Sequence, residues 1–149
     1  MSSACSFCEI ALGKAPASIV YEDVNVLAFM DINPANVGHT LVVSRVHWEN
    51  IYEIPENILA KIVLVVKNIS IAVKKTVGAD GIKVIQLNGR AAGQVVMHVH
   101  FHVIPIISTT GKIKGHRGRI LSKRIELDET ALKIRENLLG EVYGGPGRI

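Results

Sequence analysis

Three histidines at alternate positions are the residues best suited to chemistry in this sequence: His98, His100 and His102. They lie within residues 95–105, a stretch that the sequence predicts to be one long strand. Because alternate side chains of a strand point to the same face, we expect the three imidazoles to form a row, with the apolar residues between them facing the helices. Such a row can bind a metal ion, or it can supply a nucleophilic histidine with neighbours that orient it or donate protons. The residues alone leave both uses open, beside a merely structural role.

A glycine-containing loop, residues 88–94, is predicted immediately before this strand. Glycine lets the backbone approach a ligand closely, and successive backbone N–H groups can bind an anion. The loop could therefore supply N–H groups to a phosphate at the entrance to the strand.

Two cysteines, Cys5 and Cys8, are separated by two residues. That spacing suits a metal-binding or redox pair better than a structural disulfide. A redox pair would be expected in a thioredoxin-like βαβ context, which the sequence pattern does not show. Metal binding, free structural thiols and redox chemistry stay open on the residues alone.

The elements that must position these groups follow from periodicity and from helix and strand breakers. Ser6 and Asp128 are predicted to cap the first and last helices, and Gly78 and Gly140 to end the second and third. The order of elements predicts an α+β domain with helices packed on an antiparallel sheet. The predicted helices span 6–12, 55–77 and 128–139, and the predicted strands span 19–21, 24–30, 40–45, 82–87 and 95–105.

Length and composition indicate one globular domain over residues 1–149, with 48% hydrophobic residues available for a core. We expect the core at about 5–107, followed by a basic segment and a C-terminal helix at 108–149. No apolar run approaches the length of a membrane span, and the N-terminus lacks a secretory pattern. A cytoplasmic protein without membrane contact is therefore expected.

The net charge of +4 is unevenly placed along the chain. Residues 1–110 carry equal numbers of basic and acidic side chains, and the excess falls in the segment 112–124. This segment could contact phosphates, or it could be a solvated loop. Because no aromatic residue alternates with its charges to stack on bases, nucleic acid is not the expected partner.

With these residues in view, the sequence resembles the histidine triad (HIT) family, and within it the Hint-like nucleoside phosphoramidases. His98–Ile104 matches the family signature His-x-His-x-His-x-x with hydrophobic x, while residues 29–43 resemble its upstream block and residues 93–97 its approach to the triad. The match covers roughly residues 5–107 in order. The resemblance implies an α+β fold with a five-stranded antiparallel sheet per subunit, and a homodimer.

The resemblance also implies a reaction. His100 would attack the α-phosphorus of a purine nucleoside 5′-phosphoramidate, and water would release AMP from the covalent nucleotidyl-histidine. His102 would contact phosphate oxygens and protonate the leaving group, while His98 and His39 would support the cluster through hydrogen bonds. The reaction so implied needs no catalytic cofactor.

A nucleotide-binding set follows from the same resemblance: Phe29, Asp31, Ile32, Asn88, Gly93, Gln94 and Val95. Asp31 falls where the family holds the ribose, Phe29 and Ile32 where it packs the base, and Asn88 on the phosphate side. Core packing is the alternative for Phe29 and Ile32, and turn formation for the two polar residues. Val95 departs from the Ser or Thr common in the family, so only its backbone N–H can reach a phosphate.

A zinc site is the last implication of the resemblance. In zinc-binding members an N-terminal Cys-x-x-Cys joins two histidines, which match His47 and His98 here. Together with Cys5 and Cys8 they would complete a tetrahedral structural site. His98 would then be a metal ligand first, leaving the chemistry to His100 and His102.

Three alternatives remain at this point. A hydrolase of dinucleoside polyphosphates such as diadenosine tri- or tetraphosphate would share the triad. An enzyme that removes AMP from DNA 5′ ends would use the basic segment. A non-catalytic nucleotide-binding dimer would bind AMP without turnover.

Overall fold

A computed structural model describes residues 5–108 and 121–143 as five strands and three α-helices. The strands form one antiparallel sheet in the order β1-β2-β3-β5-β4, which confirms the predicted α+β fold. The helices are α1 (Ser6–Ala11), α2 (Glu56–Val77) and α3 (Arg124–Tyr143), and the strands are β1 (Ile19–Glu22), β2 (Val26–Met30), β3 (Thr40–Ser44), β4 (Gly81–Gln86) and β5 (His100–Ile106).

The sheet is covered on both faces, so its central strands are buried throughout. Val26 and Ala28 of β2 face a core shared with α2 and α3, whereas Leu27 and Phe29 face a second cluster with Phe7 of α1. This alternation has the period of two that a strand imposes. It explains why all five residues of β2 are buried. The site described below lies on the α1 face.

The long helix α2 forms as its pattern predicts. Its buried face repeats at three and four residues, as in Ile62, Val65, Ile69 and Val73. Gly78 ends it in the left-handed conformation, with φ of 65°. Within the part of the chain that the structure describes, no helix combines the length and apolarity needed to cross a bilayer.

The predicted strand 95–105 is wrong at its start, because β5 begins only at His100. Both neighbouring strands end there: Val43 of β3 pairs with His100, and Gln86 of β4 pairs with Phe101. The chain before this point bonds outside the sheet, as when the Val99 N–H donates to the Trp48 carbonyl. The row of three histidines on one strand is therefore reduced to two, and His98 lies beside the sheet.

Helix ends differ from prediction where side chains act unexpectedly. The Cys5 thiol, not Ser6, caps α1 by accepting from the Cys8 N–H at 3.4 Å. Helix α3 begins four residues before Asp128, whose carboxylate accepts instead from the Ser18 hydroxyl at 2.6 Å. The helix also continues past Gly140.

The basic segment is described only in part. Lys123 and Arg124 belong to the described chain, whereas four of its cations and one histidine lie outside the described residues. These are Lys112, Lys114, His116, Arg117 and Arg119.

Gly38, next to His39, offers a test of the packing between α2 and the sheet. Its φ is +101°, and a Cβ there would lie 3.0 Å from Val77 Cγ1 and 3.3 Å from Pro105 Cγ. We expect Gly38→Ala to lower the free energy of unfolding by about 2–4 kcal/mol, through backbone strain and overpacking together. Chemical denaturation measures the loss. Gly78→Ala is the control, since its φ of +65° meets open space, and it should cost only about 1–2 kcal/mol. Equal losses at the two positions would contradict the packing argument.

Candidate active site and metal cluster

A pocket of about 910 Å³ opens beside the ends of β2 and β5. It is largely apolar, with a few polar groups that converge on one side, as small-molecule sites usually are. Seven of the predicted site residues line it: Phe29, Asp31, Ile32, Gly93, Val95, His100 and His102.

The hydrogen bond from His100 fixes its tautomer. His100 Nδ1 lies 2.6 Å from the backbone carbonyl of His98. Because a carbonyl can only accept, Nδ1 carries the proton and Nε2 keeps its lone pair. Burial lowers the pKa of His100, against the opposing effects of the His98 carbonyl and Asp31. The ring is thus a neutral imidazole with a nucleophilic nitrogen.

His102 holds the opposite tautomer because of His39 behind it. The Ala35 N–H donates to His39 Nδ1 at 3.0 Å, so the proton of His39 sits on Nε2. That nitrogen lies 3.0 Å from His102 Nδ1 and 3.4 Å from Asp31 Oδ2. His102 Nδ1 therefore accepts, and its Nε2 carries a proton that can be donated. The His100 and His102 ring centroids are 5.0 Å apart.

Asp31 has both roles that the sequence left open. Its Oδ1 accepts from the Asn33 N–H at 2.8 Å, which makes a local turn, and the residue also lines the pocket. Phe29 lines the pocket too, and its ring packs edge-on against Phe7 at 5.3 Å. Nucleotide contact and packing are compatible at both positions.

Asn88 and Gln94 are placed differently from the other predicted site residues. Among the described residues that line the pocket, neither is found. Asn88 Oδ1 accepts from the Ile51 N–H at 2.8 Å. The buried Gln94 side chain accepts from the Gly89 N–H and donates to the Glu49 carbonyl, both at 2.7 Å. Their side chains hold the loop that carries Gly93 and Val95.

Two pocket residues were missed by the sequence reasoning. Phe7 lies between the two cysteines, where the metal spacing drew attention away from it. Arg124 belongs to the basic segment, but it lines the pocket and donates to the buried Ser18 hydroxyl at 2.7 Å. A pattern of apolar and charged residues does not reveal such a role.

Behind the pocket, Cys5, Cys8, His47 and His98 form a cluster whose potential ligand atoms lie within 4.8 Å of one another. His98 Nδ1 is 3.4 Å from Cys5 Sγ and 3.6 Å from Cys8 Sγ, and His47 Nδ1 is 3.4 Å from Cys8 Sγ. Zn–S bonds of about 2.3 Å and Zn–N bonds of about 2.0 Å in a tetrahedron give S···N separations of about 3.5 Å. The four side chains therefore fit a tetrahedral metal ion.

The protonation of the cluster also suits a metal. His98 Nε2 lies 2.7 Å from the Ser44 carbonyl, so that nitrogen carries the proton and Nδ1 is free to ligate. Burial lowers the pKa of His98 to about 4, which keeps the ring neutral. Burial, together with Cys5, raises the pKa of the Cys8 thiol to about 11. Metal binding would therefore release thiol protons.

A second group of potential ligands, Asp31, His39 and His102, is less suited to a metal. The nitrogen of His39 that faces the others is Nε2, and it carries the proton because Nδ1 accepts from Ala35. A ligand nitrogen needs a lone pair. This group is better described as a hydrogen-bonded chain that orients His102.

Fold and site together define a small α+β protein with a paired-histidine pocket and a separate Cys/His cluster. Residues 13–108 match the family model described as the HIT domain, so the chain belongs to the HIT family. An uncharacterised HIT-like protein of Methanocaldococcus jannaschii is 45% identical over 88% of this chain and 98% of its own. An adenosine 5′-monophosphoramidase of Candida albicans is 37% identical over 69% and 70% of the two chains. A Zn-bound histidine triad family protein of Mycobacterium smegmatis has a TM-score of 0.83 at 32% identity, covering 95% of this chain and 98% of that one.

The opposite tautomers can be observed directly. In long-range ¹⁵N–¹H spectra of the imidazoles at neutral pH, we expect His100 to be protonated on Nδ1 and His102 on Nε2, because of their respective partners. His98, protonated on Nε2, serves as the internal comparison. Finding His100 protonated on Nε2 would contradict the assigned hydrogen bond to the His98 carbonyl.

Proposed function

We propose that this protein is a nucleotide hydrolase or transferase that attacks the α-phosphate of purine nucleoside 5′-phosphoramidates. The observation that carries the proposal is the pairing of opposite tautomers: His100 has a free Nε2 lone pair beside the protonated Nε2 of His102. A nucleophile next to a proton donor is what cleavage of a P–N bond requires. The name of the Candida albicans relative, an adenosine 5′-monophosphoramidase, supports this substrate class.

In the first step His100 Nε2 forms a bond to the α-phosphorus while the P–N bond to the leaving group breaks. The proton on His102 Nε2 passes to the departing nitrogen, which leaves as a neutral amine. His100 becomes a nucleotidyl-imidazolium, whose positive charge is stabilised by the Nδ1–H bond to the His98 carbonyl. His39 then donates to a His102 that has become a base.

In the second step water attacks the same phosphorus, and His102 Nε2 takes the proton that water loses. The P–N bond to His100 breaks, AMP leaves, and both imidazoles return to their starting tautomers. Backbone N–H groups of the loop around Gly93 are suited to stabilising the phosphoryl oxygens.

The nucleoside end of the substrate is assigned to the other side of the pocket. Asp31 is placed to accept hydrogen bonds from ribose hydroxyls, with Phe29 and Ile32 offering apolar surface to the base. The homodimer, the single domain over 1–149 and the cytoplasmic location implied by the resemblance remain predictions.

We also propose that Cys5, Cys8, His47 and His98 hold a structural zinc ion. Support comes from the S···N distances of 3.4–3.6 Å and from the Zn-bound neighbour in Mycobacterium smegmatis. The chemistry supplied by the ion is cross-linking of the α1 segment to the sheet.

The proposed reaction is tested by His100→Ala. We expect turnover of adenosine 5′-phosphoramidate to fall by about 10³-fold or more, because the covalent route is lost, whereas the Kd for AMP should change by less than about threefold. His116→Ala is the matched loss of a histidine to which the resemblance gives no role. Retained turnover in His100→Ala would overturn the mechanism.

The same assay separates the alternatives. Adenosine 5′-phosphoramidate and diadenosine tetraphosphate are compared side by side for AMP release by the wild-type protein. A preference for the tetraphosphate would favour the polyphosphate hydrolase. Tight AMP binding without turnover of either substrate would favour the non-catalytic dimer.

The zinc assignment is tested by Cys8→Ser. We expect one zinc ion per wild-type chain by elemental analysis and none in the variant. The melting temperature should fall by about 10 °C, as for a loss of about 3 kcal/mol in a domain of this size. Chelation supplies the control, since it should lower the melting temperature of the wild type to that of the variant and leave the variant unchanged. A variant that retains zinc would exclude this ligand set.

A further inference from the structure

His98 lies between the metal cluster and the candidate nucleophile, and each of its polar groups is engaged. Its Nδ1 faces the two thiols, and its Nε2–H donates to the Ser44 carbonyl. Its backbone N–H donates to the Val96 carbonyl at 2.9 Å. Its backbone carbonyl accepts from His100 Nδ1. One residue thus connects a potential metal ligand to the hydrogen bond that sets the tautomer of His100.

The sheet does not hold this carbonyl in place. Strand β5 begins two residues later, after the partners on β3 and β4 have ended. A residue outside the ladder depends on other contacts for its position. For His98 those contacts are largely made by the ring, which is fully buried between Ser44 and the cysteines. Fixing the ring therefore fixes the carbonyl.

Phe7 makes a second connection between the cluster and His100. It lies in α1 between Cys5 and Cys8, so metal ligation by the cysteines would hold it in place. Its ring packs edge-on against His100 at 5.1 Å and against His98 at 5.7 Å. The same helix that would be tied by the metal thus contacts the nucleophile from the side opposite His102.

We propose that the cluster of Cys5, Cys8, His47 and His98 positions the nucleophile, in addition to stapling the N-terminal segment. Its four ligands are positioning residues for His100: they hold the His98 carbonyl on Nδ1–H and Phe7 against the ring, so that the Nε2 lone pair is aimed into the pocket. This inference rests on the proposed function, in which His100 attacks phosphorus. It predicts that metal occupancy changes the rate of the chemical step more than it changes nucleotide affinity.

His47→Asn is the sharpest variant, because this half-buried ligand is outside α1, distant in sequence from His100 and not among the described residues lining the pocket. We expect zinc to be lost and kcat for adenosine 5′-phosphoramidate to fall by about 10–100-fold. The Kd for AMP should stay within about threefold of wild type. In ¹⁵N–¹H spectra, His100 should lose its preference for the Nδ1–H tautomer.

Two further variants serve as controls. Val46→Ala changes the exposed neighbour of His47 and should leave zinc, kcat and tautomer unchanged. His47→Cys keeps a ligand atom close to the place of Nδ1 and should restore zinc binding, the rate and the tautomer together. All variants are compared at a temperature where their circular dichroism equals that of the wild type.

Loss of zinc with kcat and the His100 tautomer both unchanged would overturn the inference, and the cluster would then be only a staple. A reduced kcat with the Nδ1–H tautomer retained would also overturn it. If His47→Asn does not fold, cadmium-exchanged wild type replaces it, since the longer Cd–S bonds displace the ligands without unfolding the chain. An unchanged kcat after exchange would then overturn the inference. If zinc-loaded wild type shows no turnover that depends on His100, the proposed function has failed, while the tautomer shift still decides the positioning claim.

Discussion

The 2.6 Å hydrogen bond from His100 Nδ1 to the His98 carbonyl is the constraint on which the chemistry of this protein depends. It places the lone pair of His100 on the nitrogen that faces the pocket, and it can stabilise positive charge on the ring after attack. The bond joins two residues that are only two positions apart, yet they belong to different structural settings: His100 starts a strand, and His98 lies beside the sheet. The geometry of the bond therefore reflects everything that holds His98, including Ser44 and the two cysteines.

The sheet supplies rigidity for this arrangement by burying both of its faces. Phe101 and Val103 pack toward α2 and α3, and the alternating His100 and His102 project to the opposite face, under α1. Interiors at native packing density leave little room for ring rotation. His39, with no exposed surface, fixes His102 from behind in the same way that the His98 carbonyl fixes His100. The pair is thus preorganised by packing and by hydrogen bonds together, which is what electrostatic stabilisation of a transition state requires.

Sequence reasoning succeeded where periodicity decides structure. The alternation of His100 and His102 with apolar residues predicted their shared face, and the spacing along α2 predicted its buried side. It failed for His98, because the end of a strand depends on where its partners stop, and neither β3 nor β4 reveals that locally. The tautomers were also beyond reach, since each depends on a single backbone group, at His98 or Ala35, whose placement is a property of the folded chain. The metal ligand set came from the family resemblance, not from spacing, because Cys8 and His98 are 90 residues apart.

The departure at Val95 gains meaning from these contacts. In the family a hydroxyl commonly stands there and can donate to phosphate, whereas Val95 lines the pocket with an exposed apolar side chain. Gln94 and Asn88 do not replace that hydroxyl in the structure, since their side chains are bonded to Glu49, Gly89 and Ile51. Donation to the phosphoryl oxygens and to the leaving group therefore falls to His102 Nε2–H and to the backbone N–H groups of the loop. A single imidazole proton serving the leaving group makes the aim of the His39–His102 pair, set by the Ala35 N–H, as important to the reaction as the aim of His100.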